Sequence, residues 1–284
     1  MNHLSRQLVA MALEEDLGDI GDLTSLYFVD PNHRSVGRIV SRENAVISGS
    51  AIAAIACEAV SPSLAFRAIL PDGARAHPGD LVAEISGPTR LVLTAERTVL
   101  NFMQRLSGVA TITRTFVDAI AGTGARLLDT RKTTPGWREL EKAAVTHGGG
   151  VNHRMGLYDA IMVKDNHLVA NPNPIDLAAR ISKIKGGTPH LKIEVEADHL
   201  EQVADFLTIS GIDVILLDNM SNAGLARAVS MRDEIAPGIL LEASGGVNLS
   251  SVRGIAETGV DFISVGALTH SVRSIDLGLD LVAE

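Results

Sequence analysis

Apolar and polar residues alternate along this chain in two rhythms. Up to about Gly87 the pattern is mixed. Leu4 to Leu17 carries apolar residues at positions 4, 8, 9, 12 and 13, which predicts an amphipathic helix. Val36 to Ile47 and Leu81 to Ile85 predict strands, and Ala51 to Val60 a helix. The turn signals Pro71-Asp72-Gly73 and Pro78-Gly79-Asp80 separate them. Together they describe a small α+β domain. Pro88 then opens a long helical stretch, Leu91 to Ile120, with an interruption expected at Ser107-Gly108.

From Ala125 onward, short apolar segments end in polar or charged residues, and helical segments follow most of them. The segments are Arg126–Asp129, Ala160–Val163, Leu191–Val195, Val214–Leu217, Ile239–Leu241 and Phe262–Val265. Strands alternating with helices predict right-handed βαβ units around a parallel sheet. An eight-stranded barrel takes about 250 residues; about 160 remain here, so a six-stranded, smaller or incomplete α/β barrel is expected. The expected division is an N-terminal α+β domain over residues 1–108 and a barrel domain over 109–284. The cut lies in the long helical stretch, and the last helix is free to pack back on the N-terminal domain.

The chain has 284 residues, 46% of them hydrophobic and only 3% aromatic, so the core must come from Leu, Ile, Val and Ala. A net charge of −9 argues against a general nucleic-acid binder, which needs a basic face. It leaves room for a small anion held by a few cations in one cleft. Cys57 stands alone in an apolar run, so no internal disulfide forms and it reads as a buried small hydrophobe. The longest uncharged run, between Glu43 and Glu58, has 14 residues, too few to span a bilayer. Met1 to Asp19 has no signal-peptide core, so a cytoplasmic protein is expected.

In parallel α/β architectures ligands bind at the C-terminal ends of the strands. Here those ends carry Arg131-Lys132, Lys164, Glu196, Asp218, Ser244-Gly245-Gly246 and Gly266-Ala267. A charged turn residue at one strand end is ordinary; the whole set on one rim points to function. Leu191-Lys192-Ile193-Glu194-Val195-Glu196 alternates, which puts Lys192, Glu194 and Glu196 on the lumen face of a strand. Lys192 and Glu194 fit an internal ion pair as well as a functional role, and Glu196 is the better functional candidate. The two late glycine loops suit a phosphate, the first beside a helix expected over Leu249 to Glu257 with Asn248 as N-cap.

Arg105, Arg131, Lys132, His153, Arg154 and Lys164 all lie beside Gly, Thr or Asn, not on an amphipathic helix face. Solvated surface charge explains any one of them and explains all six poorly. An anion cleft is expected, with arginines for carboxylates. His147, His153 and His167 match no zinc spacing, so hydrogen-bonding roles are expected for them. Neither GxGxxG nor a P-loop occurs.

The same segments closely resemble the quinolinate phosphoribosyltransferase family. The matching stretches begin with Gly21-Asp22-Leu23-Thr24 and the run Gln104 to Thr111, followed by Asp129-Thr130-Arg131-Lys132-Thr133-Thr134-Pro135-Gly136 and Gly148-Gly149-Gly150-Val151-Asn152-His153-Arg154. Then come Met162-Val163-Lys164-Asp165-Asn166-His167, Glu194-Val195-Glu196, Leu217-Asp218-Asn219, Ser244-Gly245-Gly246 and Ser264 to Thr269. They stand in family order over nearly the whole chain. Trp137 replaces a usual Leu, and Tyr158 and Met162 fall in a variable part of their block.

The resemblance implies an N-terminal sandwich domain followed by an open six-stranded α/β barrel. It implies a homodimer, or a higher oligomer, in which one subunit helps complete the other's site through Arg105. The implied reaction joins quinolinate to phosphoribosyl pyrophosphate, releasing pyrophosphate and CO2 and giving nicotinate mononucleotide for NAD biosynthesis, with Mg²⁺. Lys132, Lys164, Glu196 and Asp218 are the implied catalytic residues, and Glu196 and Asp218 the metal candidates, in direct or indirect contact. Substrate contacts are expected from these four and from Arg105, Arg131, Thr133, His153, Arg154, Ser244, Gly245, Gly246, Val265, Gly266 and Ala267. Three other readings fit some of the residues: a paralogous phosphoribosyltransferase for another acid, a Schiff-base aldolase using Lys164, and an anion-binding protein without turnover.

Overall fold

The computed structural model describes residues 3–164, 166–167 and 174–283. Asp165 of the block around Lys164 lies outside them. The chain runs α1 (His3–Leu17), α2 (Leu23–Phe28), β1 (Arg34–Ser41), β2 (Ala45–Val46), α3 (Ser50–Val60), β3 (Ala65–Ala68), β4 (Arg75–Ala76), β5 (Leu81–Pro88) and α4 (Thr89–Ala119). It continues through β6 (Arg126–Leu128), α5 (Arg138–His147), β7 (Ile161–Val163), α6 (Pro174–Gly187), β8 (Ile193–Ala197), α7 (Leu200–Leu207), β9 (Val214–Asp218) and α8 (Asn222–Ile235). β10 (Leu240–Ser244), α9 (Val252–Ala256), β11 (Phe262–Ser264), α10 (Ala267–His270) and β12 (Leu277–Ala283) follow. Among the described residues no helix is long and apolar enough to cross a membrane.

Two compact units emerge. The first holds residues 1–114, 133–149 and 268–284; the second holds 115–132 and 150–267. The first therefore takes back two later pieces of chain, which no single cut in the long helix describes.

The first unit is built on a four-stranded sheet ordered β12-β1-β5-β3. β1 pairs antiparallel with both β5 and β12. β12 runs antiparallel along β1, from Ser41 opposite Leu277 to Ser35 opposite Ala283, a strand that the sequence pattern does not indicate. The expected strand Val36 to Ile47 divides into β1 and β2. α4 is continuous through Ser107-Gly108, contrary to the interruption expected there. Gly108 serves a close approach instead: a Cβ on it would stand 2.2 Å from the carbonyl oxygen of Arg273. Cys57 is buried in α3, and burial pushes its thiol up to about 12.

The second unit is a six-stranded sheet ordered β6-β11-β10-β9-β8-β7. Every pairing within it is parallel. All C-terminal strand ends therefore lie along one edge. Leu127, Ile193, Val195, Ile215, Leu217, Leu241, Ala243 and Ile263 are buried and supply the aliphatic core that the scarcity of aromatics requires. β8 begins two residues later than expected, because Lys192 is exposed and outside the strand. That removes Lys192 from an internal ion pair and sinks Glu196 into the strand, buried.

Candidate functional site at the carboxyl edge of the parallel sheet

The second unit carries a cavity of about 460 Å³. Arg131, Arg154, Lys164, His167, Asp176 and Arg180 line its polar part, five of them cationic or ring nitrogen donors and one a carboxylate, and apolar residues such as Ile161 and Ile181 line the rest. Arg131 follows β6 and Lys164 follows β7, so the parallel register delivers both to one edge. Arg154 is fixed by its Nη1 donating to the carbonyl of Ala160 at 3.0 Å and its Nη2 to Met162 Sδ at 3.5 Å. Burial, then the nearby Arg131 charge, pull its guanidinium below the ordinary value. Two guanidiniums that repel each other beside an open cavity are a place for a multiply charged anion.

Lys164 Nζ forms an ion pair with Glu196 Oε2. Lys164 N donates to His167 Nδ1 at 3.0 Å. One level along the edge, Asp218 ends β9 opposite Ser244 of β10. Burial pushes its carboxyl above the usual range. Asn219 Nδ2, donating at 2.6 Å, opposes that shift, and the charges of Glu196 and Asp198 add to it. Carboxylates of this kind are hard oxygen donors, so Glu196 and Asp218 are the residues here that could hold a divalent cation.

Gly245 has φ +95° and Gly246 φ +60°, both left-handed. A Cβ on Gly245 would lie 2.2 Å from Asn219 Oδ1. The expected helix Leu249 to Glu257 shortens to α9, with N-cap Ser251. Asn248 Oδ1 accepts the amides of Ser250 and Ser251 at 3.0 and 3.2 Å, so it caps a turn that precedes the helix. Those amides are thereby taken, which leaves the glycine backbone as the part suited to a phosphate. Val265 is buried, its N–H donating to the carbonyl of Leu128 at 3.0 Å, while Gly266 and Ala267 are half-buried just beyond β11. Lys132 is exposed, its backbone N–H donating to Thr130 Oγ1 at 3.1 Å.

His153 sits differently from its neighbours. Its Nε2 lies 3.1 Å from Glu194 Oε2 and 3.5 Å from Glu242 Oε2, and its Nδ1 accepts the N–H of Arg154 at 2.7 Å. Burial opposes a charged ring, and the two carboxylates overcome it, raising the pKa to about 9. Burial also pushes Glu194 up, so the proton can rest on a carboxyl of the same cluster. The Arg154 N–H needs a lone pair on Nδ1, which competes with the doubly protonated ring that the two carboxylates favour; where the contact is made, the ring keeps its proton on Nε2 and the other proton sits on the carboxylates. Glu242 is absent from the sequence-derived site. Its signal was a carboxylate inside an apolar segment, a charge that must find a partner.

Arg105 and Thr133 belong to the first unit. Arg105 donates to Glu141 Oε1 at 3.1 Å and to the carbonyls of Thr269 and Val272 at 2.7 and 3.0 Å. Thr133 Oγ1 accepts from Arg138 Nε at 3.1 Å. His147 Nδ1 lies 2.8 Å from Ser48 Oγ in the same unit. Trp137 stacks on Phe102 with ring centroids 4.9 Å apart, which uses the extra bulk at that position.

Residues 22–107 match the domain family described as quinolinate phosphoribosyl transferase, N-terminal domain, and residues 109–280 match its C-terminal domain. The chain is 43% identical to the carboxylating nicotinate-nucleotide pyrophosphorylase of Mycobacterium leprae, over 98% of this chain and 97% of that protein. A probable enzyme of that name from Bacillus subtilis is 38% identical over 99% and 95%. A solved nicotinate-nucleotide pyrophosphorylase from Francisella tularensis superposes with a TM-score of 0.90 at 35% identity, covering 99% of this chain and 97% of that one.

Proposed function

Because the chain belongs to the quinolinate phosphoribosyl transferase family, we propose that it is a decarboxylating phosphoribosyltransferase of NAD biosynthesis. Quinolinate and phosphoribosyl pyrophosphate are its substrates; nicotinate mononucleotide, pyrophosphate and CO2 are its products. The observation that carries this is the convergence of Arg131, Arg154 and Lys164 on one cavity at the carboxyl edge of a parallel sheet. Quinolinate bears two adjacent carboxylates, which suit that set.

The ring nitrogen attacks C1 of the ribose as its bond to pyrophosphate breaks, through a sugar with cationic character. Lys164 and the two arginines orient the acid. Lys132 lies beside the departing pyrophosphate. Glu196 and Asp218 face the ribose hydroxyls and the developing positive charge, so the protein contributes chiefly positioning and electrostatics. Mg²⁺ held through Glu196 and Asp218 would neutralise pyrophosphate. The C2 carboxylate then leaves as CO2; the positive ring nitrogen stabilises the electron pair left on carbon, which takes up a proton. The enzyme acts in the cytoplasm as a homodimer in this reading. Lys164 is ion-paired with Glu196 and its side chain is 44% exposed, so it lacks the desolvation that activates a Schiff-base lysine, and the aldolase reading is the weaker one.

The direct test measures pyrophosphate and CO2 release from the two substrates, with and without excess EDTA. Activity is expected to vanish on chelation and return with Mg²⁺, with the thermal unfolding temperature unchanged, because the described residues offer carboxylates and no thiolate cage. Full activity in EDTA would remove the metal. Gly245→Val is expected to raise KM for phosphoribosyl pyrophosphate roughly tenfold or more and KM for quinolinate far less. The added side chain needs space held by Asn219 and a backbone conformation Val avoids. Equal rises in both would place the phosphate elsewhere.

A further inference from the structure

We propose that Glu194 and Glu242 are positioning residues for this reaction, acting through the His153 ring to hold Arg154 at the quinolinate pocket. This rests on the functional reading above, in which Arg154 binds substrate.

Five contacts carry the inference. The His153 N–H donates to Asp129 Oδ1 at 2.8 Å, and Asp129 is fully buried at the end of β6. The His153 ring spans from β8 and β10, where Nε2 meets Glu194 and Glu242, to its own chain, where Nδ1 takes the Arg154 N–H. Val151, two residues earlier, bridges in parallel to Leu128. The backbone entering Arg154 is thus tied to three strands, and only the guanidinium continues to the cavity.

The cluster is expensive as mere packing. Glu194 Oε1 and Glu242 Oε1 are buried without a hydrogen-bond partner. Two buried carboxylates with idle oxygens are a poor way to fill space, since apolar residues of similar volume fill it better. The cost is accounted for if they fix the ring's tautomer and azimuth. Glu194 also acts electrostatically on Arg154 in the sense opposite to Arg131, easing the crowding of two guanidiniums.

His153, Glu194 and Glu242 present ligand atoms within 4.8 Å of one another, a spacing that could also hold a metal ion. Ligation through Nε2 would put the ring proton on Nδ1, facing the Arg154 N–H. Two donors would then oppose each other at 2.7 Å. The backbone contact selects hydrogen bonding over ligation.

The decisive variant is Glu242→Leu. Positioning predicts a quinolinate KM up by about tenfold, a phosphoribosyl pyrophosphate KM within about twofold, and an unfolding temperature held or raised. Glu242→Gln keeps an acceptor for Nε2–H and should restore most of the quinolinate KM. A purely structural role predicts a lower unfolding temperature and parallel losses on both substrates. Should Glu242→Leu fail to fold, His153→Asn and His153→Leu decide the point: Asn retains an acceptor near the Nδ1 position and should keep a lower quinolinate KM than Leu. Unchanged quinolinate KM in Glu242→Leu, or equal KM in the two His153 variants, overturns the proposal. Failure of the wild-type protein to use quinolinate at all would instead overturn the functional reading.

Discussion

Arg105→Ala is expected to destabilise the protein by about 3 kcal/mol, the low end for breaking a buried ion pair. The low end applies because the Arg105 side chain is 25% exposed while that of Glu141 is fully buried. Glu141 also accepts the backbone N–H and the hydroxyl of Thr134, at 3.0 and 2.8 Å. Without Arg105 it keeps only neutral donors, and the carbonyls of Thr269 and Val272 lose a charged one. The unfolding temperature should fall by roughly 6–12 °C for a chain of this size. Arg105→Lys should fall part-way, since one ammonium cannot reproduce the fork. An unchanged unfolding temperature in Arg105→Ala would contradict the network. Loss of activity in Arg105→Ala is therefore not by itself a sign of substrate contact. Mixing it with Lys164→Ala after demonstrated subunit exchange separates the two roles. The exchanged mixture should regain roughly a quarter of wild-type activity if Arg105 serves the partner's site, since half the dimers are hybrids and half their sites are intact.

The barrel was legible because each of its strands is a short apolar segment closed by a polar residue, a local signal. β8 and β10 were displaced because apolarity marks burial, not hydrogen bonding: Leu191 is apolar yet precedes the strand, and Ser244 is polar yet ends one. β12 was missed for a different reason. Most of Leu277 to Ala283 is exposed or half-buried, and it becomes a strand by pairing with β1 from the other end of the chain. No local pattern encodes so distant a partner. Gly108 was misread because a glycine in a helix signals a break or a close neighbour equally well, and the neighbour, Arg273, is also distant in sequence.

The site divides the same way. Arg131, Lys164, Glu196 and Asp218 were visible because strand ends are where such residues matter. Thr133, Arg105 and His153 were visible only by resemblance or as members of a basic cluster. All three make protein contacts that their positions do not announce: Thr133 with Arg138, Arg105 with Glu141, His153 with Glu194 and Glu242. Glu141 is not singled out by the sequence and Asp129 only as a segment end, although both are fully buried and both anchor loops. A buried carboxylate is the strongest hint available that a cation or an N–H is nearby, but sequence alone does not reveal which carboxylates are buried.

Lys164→Ala is expected to lower kcat/KM for quinolinate roughly 10- to 150-fold, equivalent to losing one charge-assisted contact of about 1.5–3 kcal/mol. Arg154→Ala should lose a similar amount, and the two residues line the same cavity. Lys164 has a second partner, so the loss has two candidate causes. Its side chain is 44% exposed, but Glu196 is buried, and removing the ammonium leaves that carboxylate without its ion pair. Glu196→Gln in the Lys164→Ala background discriminates between them. The double variant removes the orphaned charge, so any stability lost in Lys164→Ala should return. Activity should stay low, because the substrate still lacks its cation and the ribose loses a carboxylate. Recovery of activity in the double variant would mean that Lys164 serves Glu196 alone. Near-normal kcat/KM in both single variants would remove Lys164 and Arg154 from the substrate site altogether.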